Sequence, residues 1–120
     1  MKKILITGGA GFIGYHLAKH LLADKKNQLV LVDNLQRGKM DADFKQLLEN
    51  KRIKFIQADL TKPEFYKTLA RDFNQVYHLA AINGTKIFYE IPQEVLRINT
   101  LSLIYILEWI RGLEKKSLNH

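Results

Sequence analysis

The segment Thr7-Gly8-Gly9-Ala10-Gly11-Phe12-Ile13-Gly14 holds two overlapping glycine spacings: G-x-G-x-x-G at Gly9, Gly11 and Gly14, and G-x-x-G-x-x-G at Gly8, Gly11 and Gly14. It follows the run Lys3-Ile4-Leu5-Ile6-Thr7, which reads as a buried strand. It opens a stretch in which Phe12, Ile13, Leu17, Leu21 and Leu22 recur at helical spacing. Glycines between a strand and a helix allow a tight turn, close backbone approach to a pyrophosphate, and close packing of helix on strand. The helix then aims free N–H groups and its positive dipole end at the phosphates. Asp33 closes the next apolar run, Gln28-Leu29-Val30-Leu31-Val32-Asp33, and stands 19 residues after Gly14. An acid about 20 residues beyond the glycines hydrogen-bonds an adenosine ribose. Its carboxylate suits a free 2′-hydroxyl and repels a 2′-phosphate, so the pattern predicts NAD rather than NADP. Arg37, four residues on, softens that preference.

Two other readings of the same residues carry less. A ligand-free tight turn with a strand-ending Asp explains each feature alone but not the three contexts together. Gly9 to Gly14 have the outer spacing of a P-loop, yet Tyr15-His16 stands where Lys-Ser/Thr is needed to engage phosphate and magnesium. Tyr15-His16-Leu17-Ala18-Lys19 matches Tyr-x-x-x-Lys, but in the first helix, beside the pyrophosphate. A catalytic base must reach the proton it moves, and this pair does not.

The elements that position these residues alternate along the chain. Strands are predicted over 3–7, 28–33, 52–56 and 75–79, with helices from Phe12, over 41–50 (Phe44, Leu47 and Leu48 on one face), over 61–72, and from Pro92 onward. Residues 34–40 read as a loop. Thr61-Lys62-Pro63-Glu64 matches a capping box with proline in the first turn. Strands alternating with helices of this size imply an α/β fold, a partial doubly wound domain. Its parallel sheet would have about four strands in the order 3-2-1-4 and helices on both faces, with a ligand at the switch point between strands 1 and 4.

Composition fits that reading. The 120 residues carry 19 Lys+Arg against 12 Asp+Glu, a net charge of +7, with 47% apolar and 26% charged residues and no cysteine. These values exclude disorder, a disulfide framework, thiolate zinc sites and a cysteine nucleophile. The basic residues are scattered and no nucleic-acid motif accompanies them, so they read as solvated faces attracting anionic ligands. Ile4-Leu5-Ile6 is too short for a secretory signal, and no run is long enough to cross a bilayer, so a cytoplasmic protein is expected. No metal site is read.

Together with Asp33-Asn34-Leu35, Asp59-Leu60 and His78-Leu79-Ala80-Ala81, the glycine segment resembles the extended short-chain dehydrogenase/reductase family. More narrowly the chain resembles the NAD-dependent nucleotide-sugar epimerases and dehydratases. The resemblance spans nearly all of residues 1–120, which would be the N-terminal part of a NAD(P)-binding Rossmann domain. It implies that Gly8, Gly11, Phe12, Ile13 and Gly14 hold the pyrophosphate, and that Asp33 and Asn34 contact the adenosine ribose. Asp59 and Leu60 would meet the adenine edge, Leu79, Ala80 and Ala81 would let backbone approach the cofactor, and Asn99 would lie near the nicotinamide-side ribose. An isolated His in an apolar strand is more often structural, and His78 is read so. The family's Asn-x-x-Gly-Thr-x-Asn helix departs here to Asn99-Thr100-Leu101-Ser102-Leu103-Ile104-Tyr105. The family's catalytic Ser/Thr, its Tyr-x-x-x-Lys pair and its sugar-binding domain would lie beyond His120, so no catalytic residue is assigned. Nor are roles assigned over 86–92.

Residues 101–110 are apolar nearly all round, interrupted by Ser102 and Glu108, which predicts a helix buried on every face in a full domain and partly uncovered here. With strand 4 as an edge, self-association through this helix is expected, anchored by Tyr105 and Trp109. Three functions remain open to the sequence: the NAD-binding part of such an enzyme, with a nucleotide-sugar substrate only if another chain completes it; a non-enzymatic dinucleotide sensor or partner subunit; and a vestigial product that folds as an oligomer.

Overall fold

The computed structural model describes residues 1–35, 40–80 and 92–118. In chain order the elements are β1 (Lys2–Thr7), α1 (Phe12–Leu22), β2 (Asn27–Asp33), α2 (Ala42–Leu48), β3 (Ile53–Gln57), α3 (Pro63–Thr68), β4 (Gln75–His78) and α4 (Pro92–Leu118). All strand pairs are parallel, in the order β3-β2-β1-β4. The doubly wound order read from the sequence is therefore present. Thr7 lies opposite Val32 on one side and His78 on the other.

The chain forms two compact units. The first is Met1–Ala58 with Asp72–Ala80, and holds the sheet, α1 and α2. Its core is Ile4, Ile6, Leu29 and Leu31 packed with Ala18 and Phe44, and the Phe44 ring meets Phe55 edge-on at 5.4 Å. Leu5, Val30 and Val32 alternate to the other face and are also buried. Water is thus withheld from both faces of β1 and β2, as a parallel sheet requires. Asp41 caps α2 by accepting the Phe44 N–H at 2.8 Å. At the far end of α1, the Arg52 guanidinium donates to the carbonyls of Leu22, Asp24 and Asn27 at 2.8, 2.9 and 3.1 Å. It adds to Lys19 in the last turn, so positive charge gathers at the negative end of that helix.

One expectation for α1 is corrected. Phe12 and Ile13 do not face the core; they are 80% and 67% exposed. The buried positions are Gly14 and Ala18, one turn apart. At about 100° per residue, Ile13 and Phe12 fall roughly 100° and 200° round the helix from that contact line.

The second unit is Asp59–Arg71 with the chain from Ala81 onward. The capping box expected at α3 does not form. Lys62 is the N-cap, with no side-chain bond, and the Thr61 hydroxyl donates instead to Asp59 Oδ1 at 2.7 Å. Because the helix starts one residue later than the pattern assumes, Thr61 does not stand at the capping position. The helix ends at Thr68 rather than near residue 72. The Thr68 hydroxyl bonds back to the Phe65 carbonyl at 2.7 Å, and Leu69 turns extended with its side chain buried.

The long helix is not buried on every face. Val95, Ser102, Ile106 and Trp109 form one withdrawn stripe, whereas Leu96, Leu103, Ile104 and Leu107 are 43–60% exposed. Spacings of 7, 4 and 3 define a single helix face, which an all-apolar composition conceals. Trp109 is 6% exposed within the chain, which removes it as an intermolecular anchor. Tyr105 is half-buried, its ring 6.2 Å from that of Tyr66. Among the described residues no helix is long and apolar enough to cross a membrane, and no group of three or more His, Asp or Glu is arranged to hold a metal.

Candidate functional site

The chain leaves β1 through Gly8, whose amide donates to the Val32 carbonyl at 2.7 Å. Gly8 has φ +73°, and a Cβ there would stand 2.8 Å from the Ala80 nitrogen. Two backbone segments, one leaving β1 and one leaving β4, touch at this point. Gly14 is required for a second close approach: a Cβ on it would overlap the Gly8 carbonyl oxygen and lie 2.8 Å from Gly9 Cα. Gly9 is also needed, since its Cβ would meet that of Leu31 at 2.8 Å. Gly11 is different. Its φ of −76° and ψ of 170° suit any residue, and among the described residues a Cβ there would meet only the Gly8 oxygen, at 3.4 Å. The fold does not demand a glycine at position 11.

Gly11 is the N-cap of α1. No side chain caps this end and its first turn holds no acid. By helix geometry the amides of Phe12, Ile13 and Gly14 have no intrahelical acceptor. Three donors and a positive dipole end therefore lie behind a residue with no side chain, a construction that suits an anion.

Asp33 ends β2 and is buried. Its Oδ2 accepts the Ala10 N–H at 3.0 Å and its Oδ1 the Leu35 N–H at 2.8 Å. Asn34 follows, exposed to solvent. On the opposite side of β1, the fully buried Thr7 hydroxyl meets His78 Nδ1 at 2.7 Å and accepts the Ala80 N–H at 3.2 Å, while the Leu79 amide donates to the Thr7 carbonyl at 3.1 Å. This ties the start of the segment after β4 to the end of β1. Sequence reasoning gave no role to the Thr7 hydroxyl or the Ala10 amide. Once the order 3-2-1-4 is assumed, Thr7 and His78 become neighbours at two adjacent strand ends, and that signal was available.

Burial holds the His78 imidazole below the usual histidine range. A neutral ring can accept at Nδ1 from the Thr7 hydroxyl while that oxygen accepts from Ala80; a protonated ring cannot. The folded state takes up its proton at lower pH than the unfolded chain does. The stabilisation is therefore present above about pH 6.5 and is lost as pH falls below it. Thermal unfolding between pH 7.5 and 5.5 is expected to show a falling midpoint, with a flatter profile for His78→Gln. Equal slopes would remove His78 as the cause.

The remaining sequence-read positions lie in the second unit or outside the described residues. Asp59 Oδ1 accepts both the amide and the hydroxyl of Thr61, at 2.9 and 2.7 Å. Partial burial pushes the Asp59 carboxyl up, but those bonds and the charges of Lys62 and Arg97 prevail and hold it below its ordinary value. Leu60 is buried, and its carbonyl accepts the Tyr66 hydroxyl at 2.8 Å. Burial, followed by the charges of Asp59 and Tyr105, pushes that phenol up to about 12. Asn99 is half-buried on α4. Ala81, Arg37 and residues 86–91 lie outside the described residues. Tyr15 and Lys19 share one face of α1, with the Lys19 ammonium 5.5 Å above the Tyr15 ring in an ordinary cation–π contact.

Comparison with known proteins decides what this arrangement belongs to. The GDP-mannose 4,6 dehydratase family matches residues 5–119. This chain belongs to that family. Within the wider set of NAD-dependent nucleotide-sugar epimerases and dehydratases, it is 35% identical over 115 residues to UDP-glucuronic acid decarboxylase 6 of Arabidopsis thaliana, covering 95% of this chain and 30% of that protein. Among solved structures, the UDP-glucose 4-epimerase of Thermus thermophilus, in complex with NAD, is 32% identical with a TM-score of 0.79 over 93% of this chain and 34% of its own. The UDP-glucuronic acid 4-epimerase of Bacillus cereus, in complex with UDP-glucuronic acid and NAD, is 34% identical with a TM-score of 0.77 over 89% of this chain and 35% of its own. This chain thus corresponds to the N-terminal part of these family members and spans about a third of their length.

Proposed function

We propose that residues 1–120 form the NAD-binding part of a nucleotide-sugar epimerase or dehydratase. The observation that carries this reading is Gly11: a glycine unneeded by the fold, in front of an uncapped helix N-terminus. The NAD held by the Thermus and Bacillus proteins supports it. Gly8, Gly11, Phe12, Ile13 and Gly14 hold the pyrophosphate, mainly through backbone, which explains why the Phe12 and Ile13 side chains are free to point outward. Asp33 and Asn34 take the adenosine ribose, and Asp59 and Leu60 the adenine edge. Leu79, Ala80 and Ala81 flank the cofactor, and Asn99 serves the second ribose. Bound NAD would accept a hydride from a sugar carbon and return it. No residue of this chain is assigned a proton-transfer role, so binding without turnover is expected of residues 1–120 alone.

Each Asp33 oxygen retains a lone pair after its amide bond, which suits a ribose hydroxyl and disfavours a 2′-phosphate. Calorimetric titration is expected to show saturable binding of NAD, with NADP at least about tenfold weaker, a difference of about 1.4 kcal/mol. A folded protein that takes up no NAD overturns the function. Equal affinities overturn the cofactor preference alone.

A further inference from the structure

Asp33 carries more bonds than a ribose contact explains. The residue is about nine-tenths buried and both carboxylate oxygens already hold backbone amides, those of Ala10 and Leu35. Leu35 is the described non-glycine residue with a left-handed backbone, φ +62°. Ala10 is the centre of the glycine loop. Of the loop amides, Gly8 and Gly9 donate to the Val32 carbonyl at 2.7 and 3.4 Å and Gly11 donates to the Gly8 carbonyl at 3.1 Å. The Ala10 amide is held by the side chain of Asp33 instead. A segment with glycine on both sides of Ala10 has much conformational freedom to lose. An acceptor fixed to the end of a buried strand removes that freedom at its middle.

Electrostatics alone gives the opposite expectation. A carboxylate beside an anion site repels the anion, so as a charge Asp33 weakens phosphate binding. The two effects have opposite sign, and they can be separated by a ligand that has phosphate and no ribose.

We infer that Asp33 is a positioning residue for the phosphate cradle: through the Ala10 amide it fixes the glycine loop in the shape that leaves the first-turn amides of α1 open, whether or not a ribose is bound. The inference rests on the reading of that loop as a phosphate site and adds to Asp33 a task separate from the ribose. It makes one residue answer to both halves of the adenosine diphosphate. The strand end that selects the ribose also shapes the loop that takes the phosphates.

The test is Asp33→Ala, which removes the acceptors of both amides. Amide exchange of the ligand-free proteins comes first. In the wild type the Ala10 amide is expected to exchange at least about tenfold more slowly than an unstructured amide, and in the folded variant to lose most of that protection. A wild-type Ala10 amide without protection overturns the inference even if no variant folds. Titrations with inorganic pyrophosphate and with ADP follow. Pyrophosphate is expected to bind the variant about tenfold more weakly despite the lost negative charge, the size of one hydrogen bond to a charged group. Pyrophosphate binding that is unchanged or tighter, with the loss confined to ADP, assigns Asp33 to the ribose alone and overturns the inference. If the wild type binds neither pyrophosphate nor NAD, the phosphate reading fails, and the exchange result still decides whether Asp33 holds the loop.

Discussion

Gly14→Ala is expected to destabilise the protein by about 3 kcal/mol, lowering its melting temperature by more than about 10 °C. On an exposed helix the same change stabilises, because alanine is a better helix former than glycine by about 1 kcal/mol. Here the added methyl has nowhere to go. It would overlap the Gly8 carbonyl oxygen and crowd Gly9 Cα and the Gly8 carbonyl carbon, at 2.8 and 3.1 Å. These are backbone atoms, and Gly8 is in turn held against Ala80 and bonded to Val32. No side chain can swing aside to make room. Either α1 withdraws from the sheet, opening the Ile4–Ala18–Leu31 core, or the loop shifts and breaks its bonds to β2. Thermal unfolding by circular dichroism reads the outcome. A variant melting within about 2 °C of the wild type would mean that α1 does not press on the loop as described.

That contact also shows which parts of the molecule were legible in advance. The positions of β1 and β2 followed from short apolar runs closed by glycine and by aspartate, because a buried parallel strand leaves almost no choice of residue, and the strand order followed from the alternation of strands with helices. The glycine spacing and Asp33 were legible for the same reason: few residues satisfy a tight turn and a close helix approach. The face of α1 was not. Gly14 and Ala18 make the contact because they are small, whereas a search for large apolar residues selects Phe12 and Ile13, which stand in solvent. The stripe on α4 was hidden for a related reason, since leucines and isoleucines on both sides of the helix leave composition blind to which side is covered. Asp59 was picked out as an adenine contact, but its two bonds from Thr61, and the start of α3 one residue past the capping-box threonine, are not revealed by spacing. Sequence found the positions whose backbone is constrained. It missed those whose role is set by a neighbour's hydrogen bond.

Gly11→Val separates architecture from binding at a single residue. The backbone at Gly11 is extended, φ −76° and ψ 170°, so a β-branched side chain fits without strain. Among the described residues its Cβ would touch only the Gly8 oxygen, at ordinary contact distance. Valine is a poorer N-cap than glycine, but it also restricts the unfolded chain, which stabilises by up to about 1 kcal/mol. These terms oppose each other, and the net change in stability is expected to stay within about 1 kcal/mol. Binding answers differently. The valine methyls occupy the space in front of the Phe12, Ile13 and Gly14 amides, so a pyrophosphate is kept from donors that each contribute on the order of 1.5–3 kcal/mol to a charged acceptor. NAD affinity is expected to fall by at least about 100-fold, or roughly 2.7 kcal/mol. Calorimetry with NAD, set beside a melting curve of the same preparation, makes the comparison. A variant that melts like the wild type and binds NAD as well would move the phosphates away from this helix end. A variant that fails to fold would show that Gly11 serves the fold after all, removing the observation on which the functional reading stands. The expected pairing, wild-type stability with lost affinity, is the reverse of Gly14→Ala, in which the fold itself gives way.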